Sequence, residues 1–231
     1  MSFADPRIAT GMRRQLEWRR RLIVEGARSI GWKLGFGAQV AMKRLSLEAP
    51  LVGFLTDQTV LPSGSTVTIT DWIRPVVEPE LAIYMDADLT DGSDVDATRQ
   101  AIGAVGPAIE LAEIVFEPEN VEEILAGNIF HRAVILGQPD YTRAEARLVG
   151  LNAEVTVDGV PTASTSNLER LTGEIVPIIG SLADLLAQSG EALRAGDLVI
   201  TGSVVPPLAA VAPAEISYRL APLEPIKVSL R

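Results

Sequence analysis

The chain has 231 residues, enough for one full core, and its 47% hydrophobic and 22% charged content is that of an ordered globular protein. A formal charge of −10 argues against nucleic acid as the main partner, and the lack of cysteine removes disulfides, thiolate metal sites and cysteine nucleophiles. No apolar run reaches membrane-spanning length and no signal-peptide core is visible, so a cytoplasmic protein with no membrane partner is expected.

Residues 1–30 hold seven arginines against Asp5, Glu17 and Glu25. They read as an N-terminal helical segment, with helix from about Asp5 to Ala27 and Pro6 in its first turn. Glu17 and Arg21 are spaced as a helix-surface pair, and Leu16, Leu22, Ile23 and Val24 are expected to dock the helix on the body. Residues 31–231 read as the main domain. GWKLGFG (31–37) reads as a strand entering a loop, and a short helix follows over 38–46. Beyond Pro50, LVGFLTD, STVTIT, PVVEPELAIYM, VGPAIELAEIVF, HRAVILG, LNAEVTVDG, GDLVITG and PIKVSL read as strands, rich in Val, Ile and Thr and bounded by turn residues. Helices are expected near 95–103, 119–126 and 176–188. Helices do not alternate regularly with strands, so the expected fold class is α+β: a β-rich rolled or barrel-like mixed sheet with peripheral helices.

Familiar signatures fail. GxSxG, GxGxxG and GxxxxGK[ST] are missing, and the acidic run 86–94 has its glycine one place late for a calcium loop, with Ala97 where the closing glutamate belongs. His131 is the only histidine, which excludes histidine-rich zinc sites; a structural role is its better reading. The strongest signal is Glu78-Pro79-Glu80 inside an apolar strand. Residues two apart on a strand share a face, so both carboxylates project together. Like charges in a buried setting need a cation or a shared proton. Glu110 lies in a second oily strand, PAIELAEIVF, whereas Glu113, three residues on, should face the other way. Three carboxylates supply half of an octahedral oxygen shell and suit Mg²⁺ or Mn²⁺. Lys33 in GWKLGF, Asp57 ending GFLTD and the Thr201-Gly202-Ser203 loop add a cation, a turn carboxylate and hydroxyl or N–H donors.

These blocks, GWKLGF, GFLTD, RPVVEPELAI, PAIEL, AGDLVITGS and KVSL, occur in an order that resembles the fumarylacetoacetate hydrolase superfamily, in its 2-oxopent-4-enoate hydratase and 4-oxalocrotonate decarboxylase branch. The resemblance covers roughly residues 30–231 and rests most on the E-x-E strand with its downstream glutamate. It implies a β-rich roll, a homo-oligomer, and Mg²⁺ or Mn²⁺ on Glu78, Glu80 and Glu110. It implies catalytic roles for Lys33 and Asp57, and substrate binding by Leu55, Thr201, Gly202 and Ser203. The chain departs from the pattern in places. No histidine precedes His131, so the His/Glu dyad of carbon–carbon hydrolases is absent; Gly127-Asn128 replaces an Asp-Asn block, and 204–216 lacks a Gly-Asp turn. The implied activity is hydration of a 2-hydroxy-dienoate to a 4-hydroxy-2-oxo acid in aromatic catabolism. A decarboxylase or an acylpyruvate-type hydrolase is the alternative on the same site. A silent metal or oxo-acid binding protein is the alternative of another class, and a rearranged Lys33/Asp57 pair would favour it.

Overall fold

The computed structural model describes residues 5–231, so the first four residues of the expected N-terminal segment lie outside it. Helix α1 (Pro6–Val24) starts where Asp5 accepts a hydrogen bond from the Arg7 N–H at 2.9 Å and Pro6 fills the first turn. Its docking stripe is Ile8, Met12 and Leu16, at i, i+4 and i+8. Of the four residues expected to dock it, Leu16 is buried and Leu22 half-buried, but Ile23 and Val24 are exposed. Successive helix positions turn by about 100°, so three adjacent residues cannot share one face. Gln15 is buried on the same stripe, and its amide donates to the Val52 carbonyl at 3.0 Å and the Leu125 carbonyl at 2.7 Å. Truncating Met12 or Leu16 to alanine would cost about 2–5 kcal/mol.

Strand β1 (Ser29–Gly35), helix α2 (Gln39–Leu45), strand β2 (Leu51–Thr56) and the short β3 (Val60–Leu61) and β4 (Ser65–Val67) come next. The two longest strands, β5 (Pro75–Met85) and β6 (Ile102–Glu113), flank helix α3 (Val95–Gln100). Helix α4 (Val121–Ala126) leads to β7 (His131–Leu136), β8 (Asn152–Val157) and β9 (Val160–Thr165). Helix α5 (Ile175–Gln188) precedes β10 (Leu198–Ser203), β11 (Leu208–Ala209), β12 (Ala214–Ala221) and β13 (Ile226–Leu230). The expected elements are all present; β9, β12 and the two-residue strands β3 and β11 are additional.

One sheet runs β2-β1-β10-β5-β6-β7-β3, with β11 added beside β5. Its outermost strands, β2 and β3, are consecutive in sequence and separated only by the turn Asp57–Thr59. A path that leaves β2 and returns to β3 after five strands has to curl, and the sheet rolls into a curled half-barrel. The second sheet, β4-β13-β12-β8-β9, packs on the outer face of β6 and β7. Almost every residue of β6 is buried because both of its faces are covered. The outer face, with Trp32, Leu81, Ile83, Ile109, Leu111 and Ile135, joins the main core under the helices and the second sheet.

The inner face follows from the pairing register. Lys33 pairs with Gly53 and Ile200, Ile200 with Ala82, Glu80 with Ala108, and Glu78 with Glu110, which in turn pairs with Val134. Directly paired residues share a face, as do residues two apart. Lys33 and the three glutamates therefore stand on the same concave surface as an apolar floor made by Leu55, Ala82, Ala108, Val134, Leu198 and Ile200.

Candidate active site

Glu78, Glu80 and Glu110 offer carboxylate oxygens that all lie within 4.8 Å of one another. Glu80 and Glu110 are fully buried and Glu78 is half-buried on a cavity wall. Burial, the Glu110 charge and an opposing pull from Lys33 leave the Glu78 carboxyl pushed up to about 7. Burial, with the neighbouring glutamates, also raises Glu80 well above the usual range. Glu110 goes the other way. Burial alone would raise it, but the Lys33 charge and the His131 hydrogen bond hold it below the ordinary value.

Lys33 is itself buried, and its ammonium donates to Glu110 Oε1 and, at 3.1 Å, to the Ile129 carbonyl. Two features outside the predicted set hold it there. Gly53 sits opposite, where a Cβ would lie 2.7 Å from Lys33 Cγ and 2.8 Å from Asn128 Oδ1; only glycine leaves room for the lysine stem. The Ile129 carbonyl is delivered by three consecutive non-glycine residues in the left-handed region, Asn128 (φ 53°), Ile129 (φ 51°) and Phe130 (φ 62°). Such backbone is unfavourable for a β-branched residue and needs external support. The buried Asn128 amide supplies it, accepting from Phe54 N–H at 2.8 Å and donating to the Phe54 carbonyl at 3.0 Å.

His131 approaches Glu110 Oε1 through Nδ1 at 2.7 Å, with Thr59 Oγ1 2.9 Å from Nε2. Burial lowers its pKa, against the pull of Glu110, so a neutral ring donating from Nδ1 is the favoured form. A β-bulge brings it there. Between Leu111 and Ala112 the register slips, so Ala112 rather than Glu113 faces His131. The slip moves His131 to the face of Glu110. Glu113 faces away, as expected, accepting from Ile73 N–H at 2.9 Å and from Arg132 Nε at 2.8 Å.

The loop after β10 is placed by a second bulge, between Ile200 and Ser203. Gly202 takes φ +89° and its N–H donates to Glu80 Oε2 at 2.7 Å. The Gly202 N–H, expected to serve a substrate, thus holds the Glu80 carboxylate. Thr201, Gly202 and Ser203 line the cavity, and the buried Thr201 hydroxyl has no partner among the described residues. The cavity measures about 250 Å³ and is otherwise largely apolar, with Phe36, Val76, Ile114, Phe130 and Leu171 in its walls.

Two predicted residues lie elsewhere. Leu55 is buried in the inner apolar floor and is not a cavity residue. Asp57 accepts from the Arg28 N–H and Arg28 Nε, both at 2.8 Å, which holds its carboxyl below the usual range; it does not line the cavity. Strand direction is the reason. β2 runs antiparallel to β1, so it passes Lys33 at Gly53 and carries Asp57 four residues farther, about 13 Å along the strand at 3.3 Å per residue.

Orphaned oxygens test whether a divalent cation fits. Glu80 Oε1 and Glu110 Oε2 are buried and accept no hydrogen bond from the described residues. An all-oxygen donor set with two unsatisfied buried carboxylate oxygens fits a hard cation of the Mg²⁺ or Mn²⁺ kind.

A rolled mixed sheet holding a glutamate trio beside a lysine defines an α+β fold with a carboxylate centre. The chain belongs to the family described as fumarylacetoacetate (FAA) hydrolase C-terminal, whose match spans residues 30–222. Among curated relatives, 4-oxalocrotonate decarboxylase from Pseudomonas putida is 28% identical over 93% of this chain and 80% of its own length. The 2-keto-4-pentenoate hydratase 1 of Dechloromonas aromatica is 28% identical over 82% of this chain and 73% of its own. A solved structure, 4-oxalocrotonate decarboxylase from Pseudomonas putida G7 complexed with magnesium and adipate, superimposes with a TM-score of 0.87 at 25% identity. That superposition covers 100% of this chain and 87% of the other. No described helix is long and apolar enough to cross a membrane.

Proposed function

We propose that the chain is a divalent-metal-dependent hydro-lyase that hydrates a 2-hydroxy-dienoate of the 2-oxopent-4-enoate type to a 4-hydroxy-2-oxo acid. The observation that carries this reading is the meeting of Glu78, Glu80 and Glu110, two with buried oxygens that accept no hydrogen bond from the described residues, beside Lys33, with Glu78 and Lys33 on the wall of one cavity. Glu78, Glu80 and Glu110 would hold Mg²⁺ or Mn²⁺, the ion named with the Pseudomonas putida G7 structure being magnesium. When bound, the cation would supply Lewis-acid stabilisation of charge on the substrate carboxylate and 2-oxygen.

The net reaction adds water: C3 and C5 of the dienoate each gain a proton, C4 gains hydroxyl, and the 2-hydroxyl gives up its proton. Lys33 balances the carboxylate charge and is the cationic proton carrier on the wall. Thr201, whose hydroxyl has no partner among the described residues, orients the substrate carboxylate, and Ser203 lies beside it. Gly202 and His131 act through Glu80 and Glu110, keeping each carboxylate aimed inward. The largely apolar walls offer few competing polar partners, which strengthens each of these interactions. The reading also carries a homo-oligomer working on small oxo-acids.

One observation favours a second reading. Asp57 stands away from Lys33, as a silent metal or oxo-acid binding protein would allow. A spectrophotometric screen of 2-hydroxy-dienoates and 4-oxalocrotonate with Mg²⁺ and Mn²⁺ separates the possibilities. Metal-dependent loss of dienoate absorbance with product at the hydroxy-oxo acid supports the hydratase. Release of CO₂ from oxalocrotonate makes the chain a decarboxylase. Metal-dependent binding with no turnover of either leaves the silent binding protein.

A further inference from the structure

The cavity changes character along its length. Val76 and Ala112 are a directly paired couple two residues beyond the Glu78–Glu110 pair, on the same face and about 7 Å along the strands. Ile114 continues that line, and Phe36, Ala41, Phe130 and Leu171 complete a lobe without charge. Phe130 is braced from behind by Phe116, with ring centroids 4.9 Å apart, so this wall is built rather than incidental. Lys33 is the one cation among the described lining residues, and its ammonium is already shared by Glu110 and the Ile129 carbonyl.

We infer that this lobe is the specificity subsite. It takes the hydrocarbon tail of a 2-oxo or 2-hydroxy monocarboxylate and rejects acids with a second, distal carboxylate. The inference rests on the reading above, in which the head of the acid sits at Glu78, Glu80, Glu110 and Lys33. A tail carboxylate would lose its water against apolar walls with no cation to receive it. Two arginines stand outside. Arg44, a turn along α2 from Ala41, is exposed and donates to the Pro118 carbonyl at 3.2 Å, and Arg170 is exposed beside Leu171. Solvated arginines attract a carboxylate only weakly.

Calorimetric titration of the Mn²⁺-loaded protein tests this without turnover. The ligands are 2-oxo monoacids from 2-oxobutanoate to 2-oxooctanoate and 2-oxo diacids of matched length. Each added methylene of the monoacid should tighten binding about fourfold, from about 0.8 kcal/mol per buried CH₂, until the lobe is full. Each diacid should bind at least ~10-fold more weakly than its matched monoacid, and Ile114→Ala should flatten the length dependence. Ala41→Arg should reverse the preference by giving a distal carboxylate its cation. A flat series, or diacids binding as tightly as monoacids, overturns the subsite; loss of that diacid binding in Arg44→Ala or Arg170→Ala would move recognition to the rim. If Mn²⁺ binds but no 2-oxo acid binds with it, the head-group reading itself falls, a result distinct from failure of the lobe.

Discussion

Two stretches of one concave surface obey the same geometry and opposite chemistry. Ala82 and Ala108 occupy the floor, while Glu78, Glu80 and Glu110 lie on the same strands and the same face only two to four residues away. Alternation along a strand settles which way these side chains point but not whether the fold can hold them. The carboxylates are tolerated because Lys33, Gly202 N–H and His131 meet them, and because a divalent cation would complete the set. The floor has no such partners. A single charge moved across this boundary should be far more damaging than its distance suggests.

The largest expected effect comes from extending the glutamate row by one step. Ala82→Asp puts a carboxylate on the floor with no cation, a burial penalty of several kcal/mol, and circular dichroism should report a chain that fails to fold at neutral pH. Next is Lys33→Met, which keeps volume but strands Glu110. Breaking a buried pair in this way costs on the order of 3–5 kcal/mol, so the metal-free midpoint should drop by about 10 °C, and turnover should fall by roughly 10²–10⁴-fold. An unchanged midpoint would mean that Lys33 does not balance the glutamates.

A smaller effect is set by pH. The folded state raises Glu78 from 4.5 to about 7 and raises Glu80 as well, so it binds protons more tightly than the unfolded chain. Stability is then fully present below the unfolded carboxylate range and is lost as pH rises through about 7. For metal-free protein the midpoint should fall by on the order of 5 °C between about pH 5 and 8, and Glu78→Gln should shrink that fall. Saturating Mn²⁺ should suppress it too, since the cation competes with protons for the same oxygens. The smallest effect is expected at Asp57. Asp57→Asn should leave metal binding and turnover at wild-type levels, because the side chain serves Arg28 at the barrel's outer edge; a collapse in kcat would return it to the reaction.

Much of this site was legible because it obeys simple periods. E-x-E in an oily strand, and a lone glutamate in the next, required only alternation to be placed together, and Glu113 was assigned to the other side by the same rule. What escaped depends on broken periods. His131 reaches Glu110 only through a one-residue slip, and Gly202 turns its N–H to Glu80 only through another. Asn128 acts through backbone strain in its neighbours, and Gly53 through the absence of a side chain. Asp57 was misplaced for a different reason: a polar residue at a strand end does not say which end faces the cavity. The rolled sheet itself was visible as a strand-rich composition, but its curl depends on β2 and β3 taking opposite edges, which no local pattern encodes.

That curl has a kinetic side. The half-barrel is completed where β3 meets β7 over only two paired positions, Val60 with Val134 and Leu61 with Ile135, joining segments more than seventy residues apart in sequence. So short a non-local zipper should form late in folding and be the first part of the barrel to breathe, with the amides of Val60 and Leu61 exchanging with deuterium ahead of those in β5 and β6. Thr59, which steadies His131, sits at the root of that zipper. Each opening would therefore loosen the imidazole from behind Glu110, tying the grip on the third carboxylate to the lifetime of the seam.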